Sequence, residues 1–259
     1  MQHLELYFLF LLLSFILGLI LGSFYNVCIH RYLHGQSILY PPSHCPKCKH
    51  CLSWWENIPL LSYTILRGRC RECKEAISSR YPMVEALSGI WALLLAIKFG
   101  PGIPWLVYLA FGGILIVMSF IDFESYILPD SLTLPGGAAA FLAATFLLGM
   151  HWQTSLIGGI GGAGIFLLLQ QGYKSLKGIH GLGTGDIKLM FLLGALLGWP
   201  ALPLTIFLGA ICGLLASLFY LAKNARLGMQ TAIPFGPFLN LGGMLYILFG
   251  PQIWHWYLG

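Results

Sequence analysis

The sequence predicts an all-α, polytopic membrane protein with about eight transmembrane helices and one small soluble insert between the first two. Hydrophobic residues make up 58% of the 259 positions and charged residues only 9%, whereas roughly a quarter of the residues in a soluble domain are charged. Apolar runs near the length of about 20 residues that crosses a bilayer recur along the chain. A polar stretch, residues 32–80, interrupts them.

The predicted spans are separated by polar or Gly/Pro-rich segments. We place them at residues 6–29, 82–99, 104–121, 132–150, 154–172, 186–199, 202–222 and 236–257. The chain then divides into a first transmembrane helix (1–31), a cytoplasmic insert (32–80) and a seven-helix membrane domain (81–259). The first apolar run has no basic start and no small-residue cleavage site, so we expect a retained helix and not a cleaved signal peptide.

The basic residues predict the orientation. If the first helix runs from outside to inside, thirteen of the fourteen lysines and arginines fall on the inner side, and only Lys98 falls outside. Cytoplasmic loops of membrane proteins carry such an excess. Tryptophans at the predicted outer ends would form an interfacial belt, namely Trp105, Trp152, Trp199, Trp254 and Trp256. The net charge of +5 is therefore explained by orientation in a bilayer, with the insert in the cytoplasm.

The insert contains two C-x-x-C sequences separated by 21 residues. Their cysteines are Cys45, Cys48, Cys70 and Cys73. Such a pair predicts a tetrahedral site in which four thiolates bind a structural zinc ion. Disulfides or unligated thiols are the alternatives, but the reducing cytoplasm disfavours disulfides, and so small a segment needs a staple to fold. Cys51 is a fifth thiol that completes no second pair.

The insert is also basic, which raises the question of a nucleic-acid partner. The residues concerned are Arg67, Arg69, Arg71 and Lys74. An inward-facing location next to anionic lipid accounts for them equally well. We therefore expect no nucleic-acid partner.

The stretch Gly181-Leu182-Gly183-Thr184-Gly185-Asp186-Ile187-Lys188 is glycine-rich and charged, and it leads into an apolar run. A carboxylate at the mouth of a membrane helix is costly unless it faces water or a partner, so Asp186 is a candidate functional residue. Asp122 ends another apolar run at the same predicted face. Two close carboxylates cannot both ionise comfortably, so one holds a proton while the other accepts one. We predict that Asp122 and Asp186 meet at the cytoplasmic face and activate a water molecule.

The predicted helix that begins at Asp186 is short. Fourteen residues span about 21 Å, whereas the hydrocarbon core is about 30 Å thick. We therefore expect Asp186 to be recessed in a water-filled notch, with Lys188 as a candidate positive partner. Among the other acids at this face, Glu124 and Asp130 are expected to be solvated. Glu85 either complements its helix dipole or assists the aspartates.

Two further patterns have structural explanations. Gly159, Gly161 and Gly164 match the dinucleotide-binding sequence G-x-G-x-x-G, but that motif needs a soluble βαβ unit, so we expect these glycines to pack membrane helices. Polar groups also occur at the inner end of the first helix, at Ser23, Asn26 and Arg31. They serve either interhelical hydrogen bonds or substrate contact.

Together these segments resemble the type IV prepilin leader peptidases, membrane aspartic peptidases of the G-x-G-D class. The motifs that carry the resemblance occur in the same order over essentially the whole chain: Gly22-Ser23-Phe24-Tyr25-Asn26-Val27, the two C-x-x-C sequences, Arg80-Tyr81-Pro82-Met83-Val84-Glu85, Asp122 with Leu128-Pro129-Asp130, Gly183-Thr184-Gly185-Asp186-Ile187-Lys188, and Ile233-Pro234-Phe235-Gly236-Pro237. Tyr25 and Cys28 depart from the family pattern, because aliphatic residues are common there, and Cys51 is extra.

The resemblance implies a bacterial inner-membrane enzyme that removes basic leader peptides from type IV prepilins and type II secretion pseudopilins. It implies cleavage after a glycine at the cytoplasmic face, with Asp122 and Asp186 as catalytic residues and the four insert cysteines as zinc ligands. Many members also N-methylate the new amino terminus with S-adenosylmethionine. Shorter members without the insert often lack this methylation, so both peptidase and methyltransferase activities are expected here. The sequence does not identify a binding site for the methyl donor.

A proton- or cation-coupled transporter is the alternative function, with Asp122 and Asp186 as its ion site. The segment pattern shows no inverted repeat. Both acids lie at one face of the membrane and not at mid-depth. These two observations favour the peptidase.

Overall fold

The computed structural model describes residues 2–178, 183–223 and 233–258. In these ranges the secondary structure is helical, with two isolated β-bridges in the insert. The α-helices are α1 (Gln2–Leu33), α2 (Leu61–Ile65), α3 (Arg80–Phe99), α4 (Ile103–Ser125), α5 (Asp130–Leu142), α6 (Trp152–Lys177), α7 (Thr184–Leu197), α8 (Leu202–Lys223) and α9 (Gly236–Leu258). Short 3-10 turns occur at Trp54–Asn57 and Trp199–Ala201, and a π turn at Ala143–Leu147.

Six helical stretches of the described chain are long and apolar enough to cross a membrane. They are His3–Leu33, Arg80–Phe99, Ile103–Ser125, Asp130–Leu147, Trp152–Lys177 and Trp199–Tyr220. The other two predicted spans coincide with α7, which has only 14 residues, and with α9, whose 23 residues include Pro251. An all-α protein with several membrane helices is thus confirmed, while the number eight stays a prediction.

The helices belong to two compact units, Met1–Val117 and Met118–Gly259, which divide within α4. The predicted three-part organisation places its boundaries elsewhere, after residues 31 and 80. It does so because it follows the polarity of consecutive segments, whereas the compact units follow contacts between segments distant in sequence.

In the first unit, α1 packs against α3 through residues with small side chains. A Cβ atom on Gly18 would lie 2.4 Å from the carbonyl oxygen of Ser88, and one on Gly22 would lie 2.7 Å from the Cα atom of Glu85. Any larger residue would force the helices apart. The two glycines therefore allow the close approach of backbones that is common between membrane helices.

The second unit is organised around α7. Leu189, Met190, Leu192 and Leu193 have at most 1% of their surface exposed, and α5, α6 and α9 all contact this helix. A helix covered by other helices in this way is buried on all sides. Its 14 residues therefore need not match the thickness of the hydrocarbon core.

The glycine-rich run of α6 packs against α7. A Cβ atom on Gly158 would lie 2.3 Å from the carbonyl oxygen of Gly194, and one on Gly162 would lie 2.8 Å from that of Met190. The packing interpretation of this run is therefore confirmed. The closest contacts are made by Gly158 and Gly162, which are one helical turn apart and do not belong to the G-x-G-x-x-G match. Of the glycines in that match, Gly164 would bring a Cβ atom within 4 Å of no described atom.

Candidate active site and metal centre

Asp122 lies in the last turn of α4, and only 5% of its surface is exposed. The backbone N–H of Gly236, at the start of α9, donates a hydrogen bond to its carboxylate. A Cβ atom on Gly236 would lie 2.5 Å from Oδ2 of Asp122, so a glycine is needed for this approach. The N-terminal end of a helix is a favourable place for a negative charge.

Asp186 lies in the first turn of α7, with 8% of its surface exposed. Gly183 is the N-cap of this helix, and its backbone is extended, with φ −70° and ψ 144°. The N–H of Gly183 donates a hydrogen bond to the Asp186 carboxylate, which satisfies one of the donors that a helix start leaves free. Two residues of the predicted glycine-rich stretch, Gly181 and Leu182, lie outside the described residues.

The structure brings the two predicted aspartates together, although 64 positions separate them in the sequence. The charge of Asp122 acts electrostatically on Asp186. Leu128 packs against the starts of both α7 and α9: a Cβ atom on Gly185 would lie 3.0 Å from the Cβ of Leu128, and one on Gly236 would lie 3.1 Å from its Cδ1. Helices α4, α7 and α9 thus converge on one nearly covered pair of carboxylates.

A polar pair that sequence analysis missed lies one helical turn from Asp122. Nδ2 of Asn240 donates a hydrogen bond to Oγ of Ser119 at 2.9 Å. Ser119 precedes Asp122 by three residues in α4, and Asn240 follows Gly236 by four in α9, so each pair shares one face of its helix. The hydrogen bond therefore holds α9 against α4 where Gly236 meets Asp122. The sequence signal that could have found this pair is the amide side chain of Asn240, which interrupts the apolar run of α9.

Lys188 pairs with Asp130 and not with Asp186. Its Nζ donates a hydrogen bond to Oδ1 of Asp130 at 2.6 Å. The expectation that Lys188 is the positive partner of Asp186 is therefore wrong, because residues two apart in a helix do not face each other. Asp130 is an exposed ion-pair partner and more than a solvated acid. Glu124 is exposed in the last turn of α4, as expected.

Glu85 belongs to the first unit and fixes the backbone of the insert. Its Oε2 accepts a hydrogen bond from the N–H of Leu60 at 2.8 Å, and Ser23 of α1 also bonds this carboxylate. Leu60 has a φ of +59°, and the N–H of Leu61 donates to the carbonyl oxygen of Pro59 at 2.6 Å. This γ-turn with positive φ is a strained conformation. The carboxylate therefore stabilises a turn, which the helix dipole alone does not explain.

The other polar residues at the C-terminal end of α1 bind backbone carbonyls. Nδ2 of Asn26 donates to the carbonyl oxygen of Tyr81, in α3, at 3.0 Å. Arg31 is only 7% exposed, and its guanidinium donates to the carbonyls of Ser37, Ile38 and Pro41. These contacts favour a structural role for both residues over substrate contact.

The four cysteines of the insert form one cluster. The sulfurs of Cys45, Cys48, Cys70 and Cys73 all lie within 4.8 Å of one another, with 3.8 Å between Cys45 and Cys73 and 3.9 Å between Cys48 and Cys70. Sulfurs at the corners of a tetrahedron around zinc, with Zn–S about 2.3 Å, are about 3.8 Å apart. The donor set therefore fits a metal ion. All seven cysteines are free of disulfide bonds, and Cys51 lies outside the cluster.

The two C-x-x-C sequences form the same turn. The N–H of Lys49 donates to the carbonyl oxygen of Cys45 at 2.9 Å, and that of Lys74 donates to Cys70 at 3.1 Å. Lys49 and Lys74 have φ values of 61° and 60°. In the first turn the N–H of Cys48 also donates to the sulfur of Cys45, which favours the thiolate form that binds metal.

A buried glutamate supports the insert beside the first of these turns. Glu56 accepts a hydrogen bond from the N–H of Ser53 at 2.8 Å, and its Oε2 lies 3.3 Å from Nε2 of His50. Burial alone would raise the pKa of Glu56, but these two partners outweigh burial and hold its pKa below the ordinary value. Both contacts are made to Oε2, so the buried charge is compensated through this oxygen.

Two family models match the chain. The model described as Bacterial Peptidase A24 N-terminal domain matches residues 16–99, which include the cysteine cluster. The model described as Type IV leader peptidase family matches residues 109–218, which include both aspartates.

Curated relatives match the chain over nearly its whole length. The prepilin leader peptidase/N-methyltransferase of Aeromonas salmonicida (strain A449) is 36% identical over 280 residues, which cover 96% of this chain and 94% of the relative. The proteins of the same name from Burkholderia pseudomallei (strain 1026b) and Pseudomonas putida are 37% and 34% identical, covering 92% and 95% of this chain and 84% and 92% of the relatives. No solved structure gives a significant match. On the strength of these identities and coverages, the chain belongs to the prepilin leader peptidase/N-methyltransferase family.

Proposed function

We propose that the chain is a membrane aspartic endopeptidase that removes the basic leader peptide of type IV prepilins and pseudopilins, and that it then methylates the new amino terminus. The names of its relatives and the match to the type IV leader peptidase family support both activities. In this proposal, cleavage occurs after a glycine at the cytoplasmic face of the bacterial inner membrane. The excess of basic residues on the predicted inner side supports that orientation.

One observation carries the proposal: two nearly buried carboxylates, Asp122 and Asp186, interact within one compact unit. Because close carboxylates do not both ionise readily, the pair holds one shared proton. The ionised member accepts a proton from a water molecule as that water attacks the scissile carbonyl carbon. The protonated member donates a hydrogen bond to the carbonyl oxygen. This division of roles hydrolyses a peptide bond without a covalent intermediate.

The two helix starts prepare the carboxylates for this reaction. Gly183 and Gly236 each donate a backbone hydrogen bond to one aspartate, so the orientation of both side chains is set before substrate binds. Preorganised groups of this kind need no rearrangement during the reaction. The glycines at these positions thus support catalysis through their backbones.

In this proposal the four-cysteine cluster binds a structural zinc ion. Four thiolates leave zinc no open position, so the metal stabilises the insert and does not activate the attacking water. S-adenosylmethionine is the methyl donor and therefore a second substrate. All eight predicted spans, with α7 and α9 among them, lie within the membrane.

The test is cleavage of a prepilin by the purified full-length protein, with Asp122→Asn and Asp186→Asn compared separately. Loss of a general acid or base costs about 100-fold or more in rate, so we expect a loss of at least this size from each variant. Asp130→Asn is the matched control, because its carboxylate is 64% exposed and pairs with Lys188, and it should cleave at the normal rate. Thermal unfolding in detergent verifies that all three variants are folded.

Normal cleavage by Asp122→Asn or by Asp186→Asn would contradict the proposed mechanism. The alternative function, a proton- or cation-coupled transporter in which the two acids bind the ion, would then be favoured. If the Asp130→Asn control also lost cleavage, the loss would not be specific to Asp122 and Asp186, and their assignment as the catalytic pair would fail.

A further inference from the structure

Two apolar ridges project from the insert. The first ridge is Ile38-Leu39-Tyr40, with exposed fractions of 51%, 92% and 75%, and the second ridge is Leu61 and Ile65, with 52% and 62%. Leu61 and Ile65 are four residues apart in α2, so they share one face of that helix. Single exposed apolar side chains are ordinary, but each of these groups is bound to a membrane helix by a buried charged residue.

Arg31 binds the first ridge to the cytoplasmic end of α1. It is the third residue from the end of the helix, which ends at Leu33. Its guanidinium donates to the carbonyl oxygens of Ser37 and Ile38, both at 2.7 Å. With only 7% of Arg31 exposed, this contact is almost closed to water. The chain therefore folds back at once, and the first ridge stays at the level where α1 leaves the membrane.

Glu85 binds the second ridge to the cytoplasmic end of α3. It is the sixth residue of that helix, about 8 Å from the helix start. Its carboxylate accepts the N–H of Leu60 at 2.8 Å, and the γ-turn around Leu60 leads directly into α2. The second ridge is therefore also held at the level of the membrane surface.

The charge of the insert complements an anionic membrane surface. Residues 32–80 contain seven lysines and arginines against three glutamates. Arg67 and Arg69 are exposed and directly follow the second ridge. Apolar side chains flanked by basic residues are typical of segments that lie in the interface of an anionic leaflet, with the apolar groups buried about 5–10 Å deep.

We propose that the insert lies on the cytoplasmic leaflet, with both ridges between the headgroups and the acyl chains and with Arg67 and Arg69 on anionic headgroups. Both ridges contact the bilayer, because α1 and α3 enter the bilayer on either side of the insert and hold the ridges at the bilayer surface. Lipid contacts thus orient the cysteine cluster relative to the membrane. This inference rests on the proposed cytoplasmic orientation of the insert and not on the proposed peptidase activity.

A fluorescent probe on each ridge tests the inference in the full-length protein, reconstituted at one copy per lipid nanodisc. The background lacks the cysteines outside the cluster, which are Cys28, Cys51 and Cys212. Leu39→Cys or Ile65→Cys is labelled with an environment-sensitive nitrobenzoxadiazole probe. Asn57→Cys is the matched control, because Asn57 is an exposed polar residue of the insert outside both ridges.

In discs rich in phosphatidylglycerol, we expect spin-labelled lipid to quench the probes at positions 39 and 65 about threefold more than the probe at position 57, as interfacial burial requires. Aqueous iodide should show the opposite order. Equal iodide quenching at all three positions would overturn the proposal. Lipid quenching that appears only with two copies per disc would also overturn it, since a second copy would then cover the ridges.

The basic residues are tested in the same discs. Arg67→Gln combined with Arg69→Gln should lower the lipid quenching at position 65 about twofold in phosphatidylglycerol discs, because each basic residue near an anionic surface adds to the attraction. In neutral phosphatidylcholine discs the double variant should change nothing. Unchanged quenching in the anionic discs would overturn the assignment of the two arginines to headgroups.

Discussion

The N–H of Gly236 binds the carboxylate of Asp122, and the contact leaves no room for a side chain on the glycine. The relationship joins the start of α9 to the last turn of α4, 114 positions earlier in the sequence. A positive helix end faces the acid that is proposed to work with Asp186. The position of one backbone therefore determines the position of a reactive oxygen.

Gly236→Ala should impair cleavage strongly. Its Cβ atom would lie 2.5 Å from Oδ2 of Asp122, so either the carboxylate or the helix start must move. A displacement of about 1 Å can cost about 100-fold in rate, and we expect kcat to fall by that order with KM little changed. Gly164→Ala is the matched control, because that glycine has open space around it. Equal activity of the two variants in a prepilin cleavage assay would refute this role of Gly236.

Ser119→Ala should reduce kcat more modestly. The change removes the acceptor of the hydrogen bond from Asn240 that holds α9 against α4. One such bond contributes about 1 kcal/mol, which corresponds to about a fivefold change in rate. Ser119→Thr keeps the hydroxyl group and should restore the rate. The measurement is steady-state kinetics of cleavage. An effect on KM alone, or no rescue by threonine, would argue against a positioning role.

The sequence alone could predict which aspartates and which cysteines the structure brings together, because each group has a local chemical signature. Asp122 and Asp186 are carboxylates at the mouths of apolar runs, where an unpartnered charge is costly. The cysteine pairs have the spacing of a metal turn. Neither inference requires knowledge of which helices touch.

The partners of these groups could not be predicted, because they depend on contacts between segments distant in sequence. Lys188 is two residues from Asp186 but binds Asp130, across the contact between α7 and α5. Glu85 follows a helix start, yet its carboxylate binds Leu60, 25 residues earlier. From the sequence, the length of α7 could be compared only with the thickness of the hydrocarbon core. The burial of α7 among other helices explains why so short a segment is stable, and this burial depends on contacts between distant segments.

Glu85→Ala should destabilise the first unit without changing the chemistry of cleavage. Removal of the carboxylate leaves the N–H of Leu60 without this acceptor, at a cost of about 1–3 kcal/mol. Glu85→Gln keeps an acceptor oxygen but loses the charge, which roughly halves the strength of the hydrogen bond, so its loss of stability should be smaller. Thermal unfolding in detergent measures both.

The activity of the folded Glu85 variants separates a structural role from a catalytic one. Below the unfolding transition, both should cleave a prepilin at nearly the normal rate, since Glu85 lies in the unit that does not contain the two aspartates. If Glu85→Gln kept its thermal stability and lost cleavage, the carboxylate would be an auxiliary acid and the structural explanation would be insufficient.

Cys45→Ser should lower the zinc content of the purified protein from about one ion per chain towards zero, because a structural site needs all four thiolates. The insert should then be cut faster by trypsin at the exposed Arg67 and Arg69, since so small a segment folds poorly without its metal. Cys51→Ser is the matched control, as its thiol lies outside the cluster, and it should leave both measurements unchanged. A zinc content equal to that of the unmodified protein in Cys45→Ser would eliminate the site, whereas equal loss in Cys51→Ser would mean that the fifth thiol replaces one of the four proposed ligands.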